Sequence, residues 1–228
     1  MRVGEAGSEM SGTHLNLWKK QLGVVPESVW DRHDLESLVL ADNGLVEVSE
    51  RVGGLKRLRM LDLGHNAIVS LPDAIGDLER LTDFLYLHDN RLRNLPRSLT
   101  NLNKLRYLNV SDNELSALPE SVFEMSGLVE LRASKCGLAA VPDALGRLSN
   151  LRELHLRDNG LTTLPASVGE LKELRSLDVR GNPLTTLPEA LGELPKLDKL
   201  DLRWTPSLDV AGLRCIAKLE VRGALVYR

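Results

Sequence analysis

The stretch Leu55-x-x-Leu58-x-x-Leu61-x-Leu63-x-x-Asn66-x-Ile68-x-x-Leu71-Pro72-x-x-Ile75-Gly76-x-Leu78 decides the fold. Its Leu61-x-Leu63 step has period two, the mark of a short strand whose successive side chains point to opposite faces. Asn66-x-Ile68 turns the chain away from that strand. The Leu71-Pro72 pair closes the return side, where a residue with fixed φ and no N–H to donate is well placed. Ile75-Gly76-x-Leu78 then crosses the back as a short helical or 3₁₀ turn.

The same frame recurs along the chain with its anchor at Lys20, Asn43, Asn66, Asn90, Asn113, Cys136, Asn159, Asn182 and Thr205. Neighbouring anchors lie 23 residues apart, except for 24 between Asn66 and Asn90. The extra residue falls between Leu81 and Leu85, and a bulge is expected near Asp83–Phe84 on the inner surface. No unit of this length buries its own leucines, whereas stacked units join them into one continuous core. The anchor side chain is an amide in Asn43, Asn66, Asn90, Asn113, Asn159 and Asn182. With two donors and an acceptor it can satisfy backbone groups of its own and the adjacent turn. Cys136 and Thr205 belong to the same column; Cys136 reads as a thiol replacing the amide rather than as a reactive group.

Composition agrees with a repeat. Leucine supplies 48 of 228 residues, beside 2 Phe, 3 Tyr, 3 Trp and 3 Ile. A chain so rich in aliphatic side chains is not disordered. Its apolar runs fall far short of the ~20 residues of a membrane-spanning helix. Two cysteines are too few for a disulfide framework and lack metal-ligand spacing. A net charge of −3 on 27% charged residues gives no reason to expect nucleic acid or an anionic membrane as partner. Residues 1–12 read as a flexible tail with no apolar secretory segment.

The frame resembles the leucine-rich repeat family, and in particular its 23-residue intracellular class with a Leu-Pro-x-x-Leu/Ile-Gly-x-Leu back, as in plant Ras-group proteins and many bacterial proteins. The resemblance covers about residues 15–225. It implies an α/β fold: a right-handed horseshoe solenoid with a concave parallel sheet and short helical or 3₁₀ turns on the convex side. It also implies a cytoplasmic setting, since the cysteine-rich N-terminal cap of secreted members is missing. A single domain over 13–228 is expected, with about nine turns, an N-terminal cap over 13–34 and a C-terminal cap over 206–228. Trp18 and Trp30 are the candidates to cover the first core layer. Leu213-x-x-Ile216-x-x-Leu219-x-Val221 repeats the strand frame near the other end.

The same frame separates core from surface. Met60, His65, Phe84, Tyr86, His88 and Tyr107 fall on concave positions of turns three to five, and exposed aromatics of this kind anchor protein interfaces. The competing expectation is that the bulge turns Phe84 inward. Arg132, His155, Arg157, Arg180 and Arg203 form a second concave group, flanked by Glu130, Glu153, Asp178 and Asp201. They read first as a salt-bridge ladder, and second as a site for carboxylate or phosphate groups on a partner. Arg91, Arg93 and Arg97 fall on the turn and back side as solvated surface. No Gly-x-Ser-x-Gly, phosphate-cradling loop or His-Glu-x-x-His is present. The expectation is a monomeric, non-catalytic module without metal or cofactor that binds a protein or peptide on its concave face. The alternatives are a sensor or scaffold segment of a larger kinase- or GTPase-pathway protein, or a bacterial effector that binds a host protein.

Overall fold

The computed structural model describes residues 12–228, so the expected tail lies, apart from Gly12, outside the described residues. Ten three-residue strands form one parallel sheet in sequential order. They are β1 (His14–Asn16), β2 (Ser37–Val39), β3 (Met60–Asp62), β4 (Phe84–Tyr86), β5 (Tyr107–Asn109), β6 (Glu130–Arg132), β7 (Glu153–His155), β8 (Ser176–Asp178), β9 (Lys199–Asp201) and β10 (Leu225–Tyr227). The register is carried by the central residue: Leu15, Leu38, Leu61, Leu85, Leu108, Leu131, Leu154, Leu177, Leu200 and Val226 lie side by side. The nine leucines of that row are buried, and the residues on either side are at least partly exposed, apart from Asp201 in β9. At about 4.8 Å per strand the sheet runs for roughly 40 Å.

The backs are 3₁₀ turns such as Asp73–Asp77 and Asp143–Arg147. Their glycine answers a close approach: a Cβ on Gly76 would sit 2.4 Å from the Ser98 carbonyl oxygen of the next unit. In two units an aromatic residue takes that position, Trp30 and Phe123, within the parallel runs Pro26-Glu27-Ser28-Val29-Trp30 and Pro119-Glu120-Ser121-Val122-Phe123. There the back becomes a turn of α-helix, α1 (Glu27–Trp30) and α2 (Glu120–Phe123), and the ring fills the core.

The anchor column works through both ends of the amide. Asn159 donates from Nδ2 to the carbonyls of Ala133 (2.9 Å) and Leu156 (2.8 Å), and its Oδ1 accepts from the N–H groups of Cys136 (3.0 Å) and Leu138 (3.1 Å). Asn43, Asn66, Asn90, Asn113 and Asn182 repeat the donor half of this scheme on their own neighbours. Cys136 reaches the Val110 carbonyl through Sγ at 3.2 Å, and burial pushes its thiol up to about 12. Thr205 keeps one bond, from Oγ1 to the Leu202 carbonyl. The residue just before each anchor is left-handed: Lys19, Asp42, His65, Asp89, Asp112, Lys135, Asp158 and Trp204 have φ of 52° to 59°, and Gly181 has 69°. This region suits Asp, Asn, His and Gly, which accounts for four aspartates in that column.

Three expectations change. The extra residue is taken up at Thr82–Asp83, just ahead of β4 rather than within it. Asp83 and Phe84 both donate to the Arg59 carbonyl, as the equivalent pairs do elsewhere, but Arg106 N–H reaches back to Thr82 and skips Asp83. The strand itself keeps register, so Phe84 is not turned inward. Trp30 covers the first core layer, but Trp18 is 55% exposed, with Lys19 over its ring. Finally, Leu213, Ile216 and Leu219 lie on a helix, α3 (Val210–Val221), and not on a strand. Spacing of three residues fits a helical face as well as the strand frame, and Asp209 decides for the helix by capping its start, accepting from the Gly212 N–H at 2.8 Å. The closing strand comes later, at β10.

Candidate protein-binding surface

Because core leucines alternate with outward positions, residues from adjacent units stack into rows across the concave face. One row runs Met60, Phe84, Tyr107, Glu130; the next runs Asp62, Tyr86, Asn109, Arg132, His155, Asp178. These rows bring the expected aromatic residues into one continuous group. Phe84 stacks with Tyr86 at 5.7 Å between ring centroids, Phe84 and Tyr107 meet at 5.4 Å, and Tyr86 and Tyr107 at 5.0 Å. Tyr86 contacts His88 at 6.0 Å, and His88 contacts His65 at 4.6 Å. Met60 flanks the group beside Phe84, and Arg132 extends it by lying over the Tyr107 ring. Phe84 is 41% exposed. Burial raises both phenols, that of Tyr107 to about 12, so they stay neutral donors at any physiological pH.

The two histidines are held differently. His65 Nδ1 lies 2.6 Å from Asp89 Oδ2, and its Nε2 lies 3.1 Å from His88 Nε2. Burial, followed by the neighbouring His65, lowers the His88 pKa. Its ring packs where a Gly64 side chain would otherwise stand: a Cβ there would be 2.5 Å from His88 Cε1.

The arginine group divides. Arg203 binds Asp201 through two nitrogens at 3.0 and 2.7 Å and lies over Trp204 and Tyr227. Arg180 spans Asp178 (3.1 Å) and Asp201 (3.8 Å). These two form the salt-bridge ladder. Arg157 and Arg132 use only Nε, toward Asp158 (3.3 Å) and Glu130 (2.5 Å). His155 sits between Glu130 and Glu153, at 3.7 and 3.3 Å. Among the described residues Glu130, Glu153 and His155 are the one trio with metal-ligand proximity, and the Arg132 guanidinium already occupies Glu130. Arg91, Arg93 and Arg97 lie exposed on the turn and back side, with Arg93 paired to Glu114.

Two features of this surface were not legible in the repeat frame. A depression of about 250 Å³ lies beside Phe84 and Tyr107, next to the extra residue ahead of β4, walled by Asp83, Arg106, Val129 and Glu130. Trp204, 73% exposed, stands over a cleft of about 380 Å³ against the C-terminal helix, lined by Leu208, Leu213 and Ile216. Its column position showed only that it is on the surface.

Three leucine-rich repeat models match the chain, described as "Leucine-rich repeat region" over 139–224, "Leucine rich repeat" over 33–92 and "Leucine Rich Repeat" over 104–125. The chain belongs to the leucine-rich repeat family. No curated protein matches it. Among solved structures, a leucine-rich repeat protein of Leptospira interrogans superposes over 96% of this chain and 66% of its own, with a TM-score of 0.77 at 21% identity, a likeness of fold. The plant peptide hormone receptor RGFR1 in complex with RGF2 superposes over 86% of this chain and 32% of its own, with a TM-score of 0.76 at 30% identity. The ectodomain of the Arabidopsis thaliana membrane receptor kinase GASSHO1/SCHENGEN3, in complex with CASPARIAN STRIP INTEGRITY FACTOR 2, gives 0.71 at 29% identity over 85% of this chain and 24% of its own. This leucine-rich repeat chain therefore spans a third or less of these two plant receptor chains. No helix among its described residues is long and apolar enough to cross a membrane.

Proposed function

We propose that this leucine-rich repeat chain is a non-catalytic module that binds a protein or peptide on its concave face, with Phe84, Tyr86, His88 and Tyr107 at the centre of the contact. The observation that carries this reading is the unbroken ring contact from His65 through His88 and Tyr86 to Phe84 and Tyr107 on the solvent side of the sheet. The core is complete without these rings, since a leucine lies behind each of these strands. Rigid aromatic side chains clustered on an exposed surface are typical of binding hot spots. Two plant relatives of the same fold are held in complex with RGF2 and with CASPARIAN STRIP INTEGRITY FACTOR 2, which supports the choice of a peptide or protein over a small metabolite.

The test begins with partner capture on the intact chain and compares wild type with the Tyr86→Ala/Tyr107→Ala double variant. Hot-spot side chains contribute about 2 kcal/mol or more each, so affinity should fall at least about a hundredfold. A folded double variant that binds as tightly as wild type sinks the proposal. The low coverage of the plant receptor chains favours a second reading, in which the same surface serves as the sensor or scaffold segment of a longer signalling protein. An intracellular setting belongs to the same proposal, supported by the two buried free thiols Cys136 and Cys215.

A further inference from the structure

The row that follows the second core position of each unit reads Gly64, His88, Ser111, Ser134, Arg157, Arg180. Two small serines therefore stand between the bulkier His88 and Arg157. The result is a notch of about 200 Å³ in the concave face, next to the aromatic group. Ser111 and Ser134 are nearly buried at its floor, and Arg132 and Arg157 stand over it.

Most of the hydrogen-bonding capacity left over in this notch is donor capacity, the exceptions being the Asp112 carboxylate and the unpartnered His88 Nδ1. Of the carboxylates at its edge, Asp178 receives Arg180 at 3.1 Å and the Arg180 N–H at 3.3 Å, and Asp112 forms an ion pair with Lys135 across 3.6 Å. Asn109 Oδ1 accepts the Ser111 N–H at 3.1 Å, and Ser111 Oγ accepts the Ser134 N–H at 3.1 Å. The donors are not taken. Ser111 Oγ has accepted and still has its proton to give, and Ser134 Oγ has no protein partner among the described residues. Arg157 spends only Nε on Asp158, and Arg132 only Nε on Glu130, which leaves their terminal nitrogens open. Two hydroxyls and two guanidinium ends converging on one notch suit an oxyanion with several acceptor oxygens. The guanidinium fork matches phosphate geometry, and the three oxygens of a phosphate monoester take up these donors more fully than the two of a carboxylate.

We propose that the Ser111/Ser134/Arg132/Arg157 notch binds the phosphate monoester of a phosphorylated side chain on the peptide that docks across the neighbouring aromatic group. This rests on the concave-face reading above and names its partner's chemistry. The Tyr86→Ala/Tyr107→Ala comparison is independent of phosphate, so failure of one proposal is distinguishable from failure of the other.

The test is an NMR titration of the full chain at pH 7.5, where the phosphate is mostly dianionic. Inorganic phosphate, acetate and the blocked amino acid N-acetyl-phosphoserine N-methylamide are added at matched ionic strength. The expected result is saturable movement of the Ser111, Ser134 and Arg157 amides with phosphate and with the blocked phosphoserine, and binding at least about tenfold weaker with acetate. Arg157→Gln should weaken phosphate binding about tenfold, the loss expected for a charge-assisted contact. Arg203→Gln, which lies outside the notch, should leave it unchanged. If circular dichroism shows Arg157→Gln unfolded, Ser134→Ala carries the same comparison. Equal binding of acetate would make this a carboxylate site, and a blocked phosphoserine tenfold weaker than free phosphate would make it a site for the free ion. Equal losses in Arg157→Gln and Arg203→Gln would reduce the effect to diffuse charge. Each of these, like the absence of saturable shifts, overturns the proposal.

Discussion

Replacing Asn159 by alanine tests the anchor column more directly than any change in the leucine core. The amide holds four good bonds to backbone: two donated, to Ala133 and Leu156, and two accepted, from Cys136 and Leu138. Deleting it strands two N–H groups in a region where Cys136 and Leu138 are nearly or fully buried. A buried donor left without a partner costs about 1–3 kcal/mol, so the two together predict a loss of about 2–6 kcal/mol. Of the two carbonyls, that of Leu156 keeps its bond from Asn182 Nδ2 and tolerates the loss, whereas that of Ala133 has no second partner among the described residues and adds to the cost. Cys136→Ala removes only the thiol contacts to the carbonyls of Val110 (3.2 Å) and Ser134 (3.4 Å). A thiol is a weak donor and the vacated volume is small, so the expected cost is about 1 kcal/mol. Equilibrium urea denaturation of the full chain, followed by far-UV circular dichroism, measures both. Equal losses in the two variants would refute the account, because an amide that bonds the backbone of two turns would then be worth no more than a thiol. So would a loss confined to a changed denaturant slope, which would mean that cooperativity between units had broken instead.

Three further outcomes follow from contacts in the fold. Gly76→Ala should cost about 1–3 kcal/mol through overpacking against the Ser98 backbone, whereas Gly146→Ala should cost less, because its new Cβ meets chiefly the mobile end of Glu170 and requires only a small shift of Ser167 Cβ at 3.1 Å; thermal melts of the two variants give the comparison. Asp201 is buried, which works against its ionisation, but the bonds from Arg203 prevail and hold its pKa below the usual carboxylate range. Its contribution is therefore present above the unfolded value and lost as pH falls through the folded one; wild type should lose stability below about pH 4 more steeply than Asp201→Asn, as read from urea midpoints. His88 runs on the same logic for a base: its folded pKa is lowered, so its neutral form is favoured by folding, and stability should fall as pH drops below about 6.5. The urea midpoint of His88→Asn should change less between pH 7.5 and 5.5 than that of wild type.

Most of the solenoid was legible because it rests on a period. Leucine at fixed offsets, one amide per turn and a single 24-residue interval are properties of residue order alone, and each has a place in the sheet, the anchor column or the loop ahead of β4. Where a period is shared by two structures the frame misled. Leu213-x-x-Ile216-x-x-Leu219 satisfies both strand frame and helix, and the deciding group was Asp209, a capping residue outside the pattern. The back-side switch to α1 and α2 was visible only as an aromatic residue in a glycine position, a signal that needs the close approach at Gly76 before it has meaning.

The candidate surface shows the same division between place and state. Row membership follows from the frame, so the neighbourhood of Phe84, Tyr86 and Tyr107 is written in residue order alone. What each charged group does with its hydrogen bonds could not. Arg157, Arg180 and Arg203 occupy one column and look alike in sequence, yet Arg203 and the terminal nitrogens of Arg180 are held by Asp201 and Asp178, with Arg180 Nε left unpartnered, while Arg157 keeps its terminal nitrogens free. The difference comes from the adjacent row: Asp178 and Asp201 stand beside the later arginines, whereas His155 stands beside Arg157 and turns instead to Glu130 and Glu153. A carboxylate at that one position would close the notch electrostatically. The prediction is therefore specific: His155→Asp should give Arg157 the partner that Arg180 and Arg203 already have, and phosphate binding at Ser111 and Ser134 should fall even though no residue proposed to touch the phosphate has changed. The NMR titration used for the notch measures it. Undiminished phosphate binding in a folded His155→Asp variant would show that the free guanidinium is not what makes the notch different from the ladder beside it.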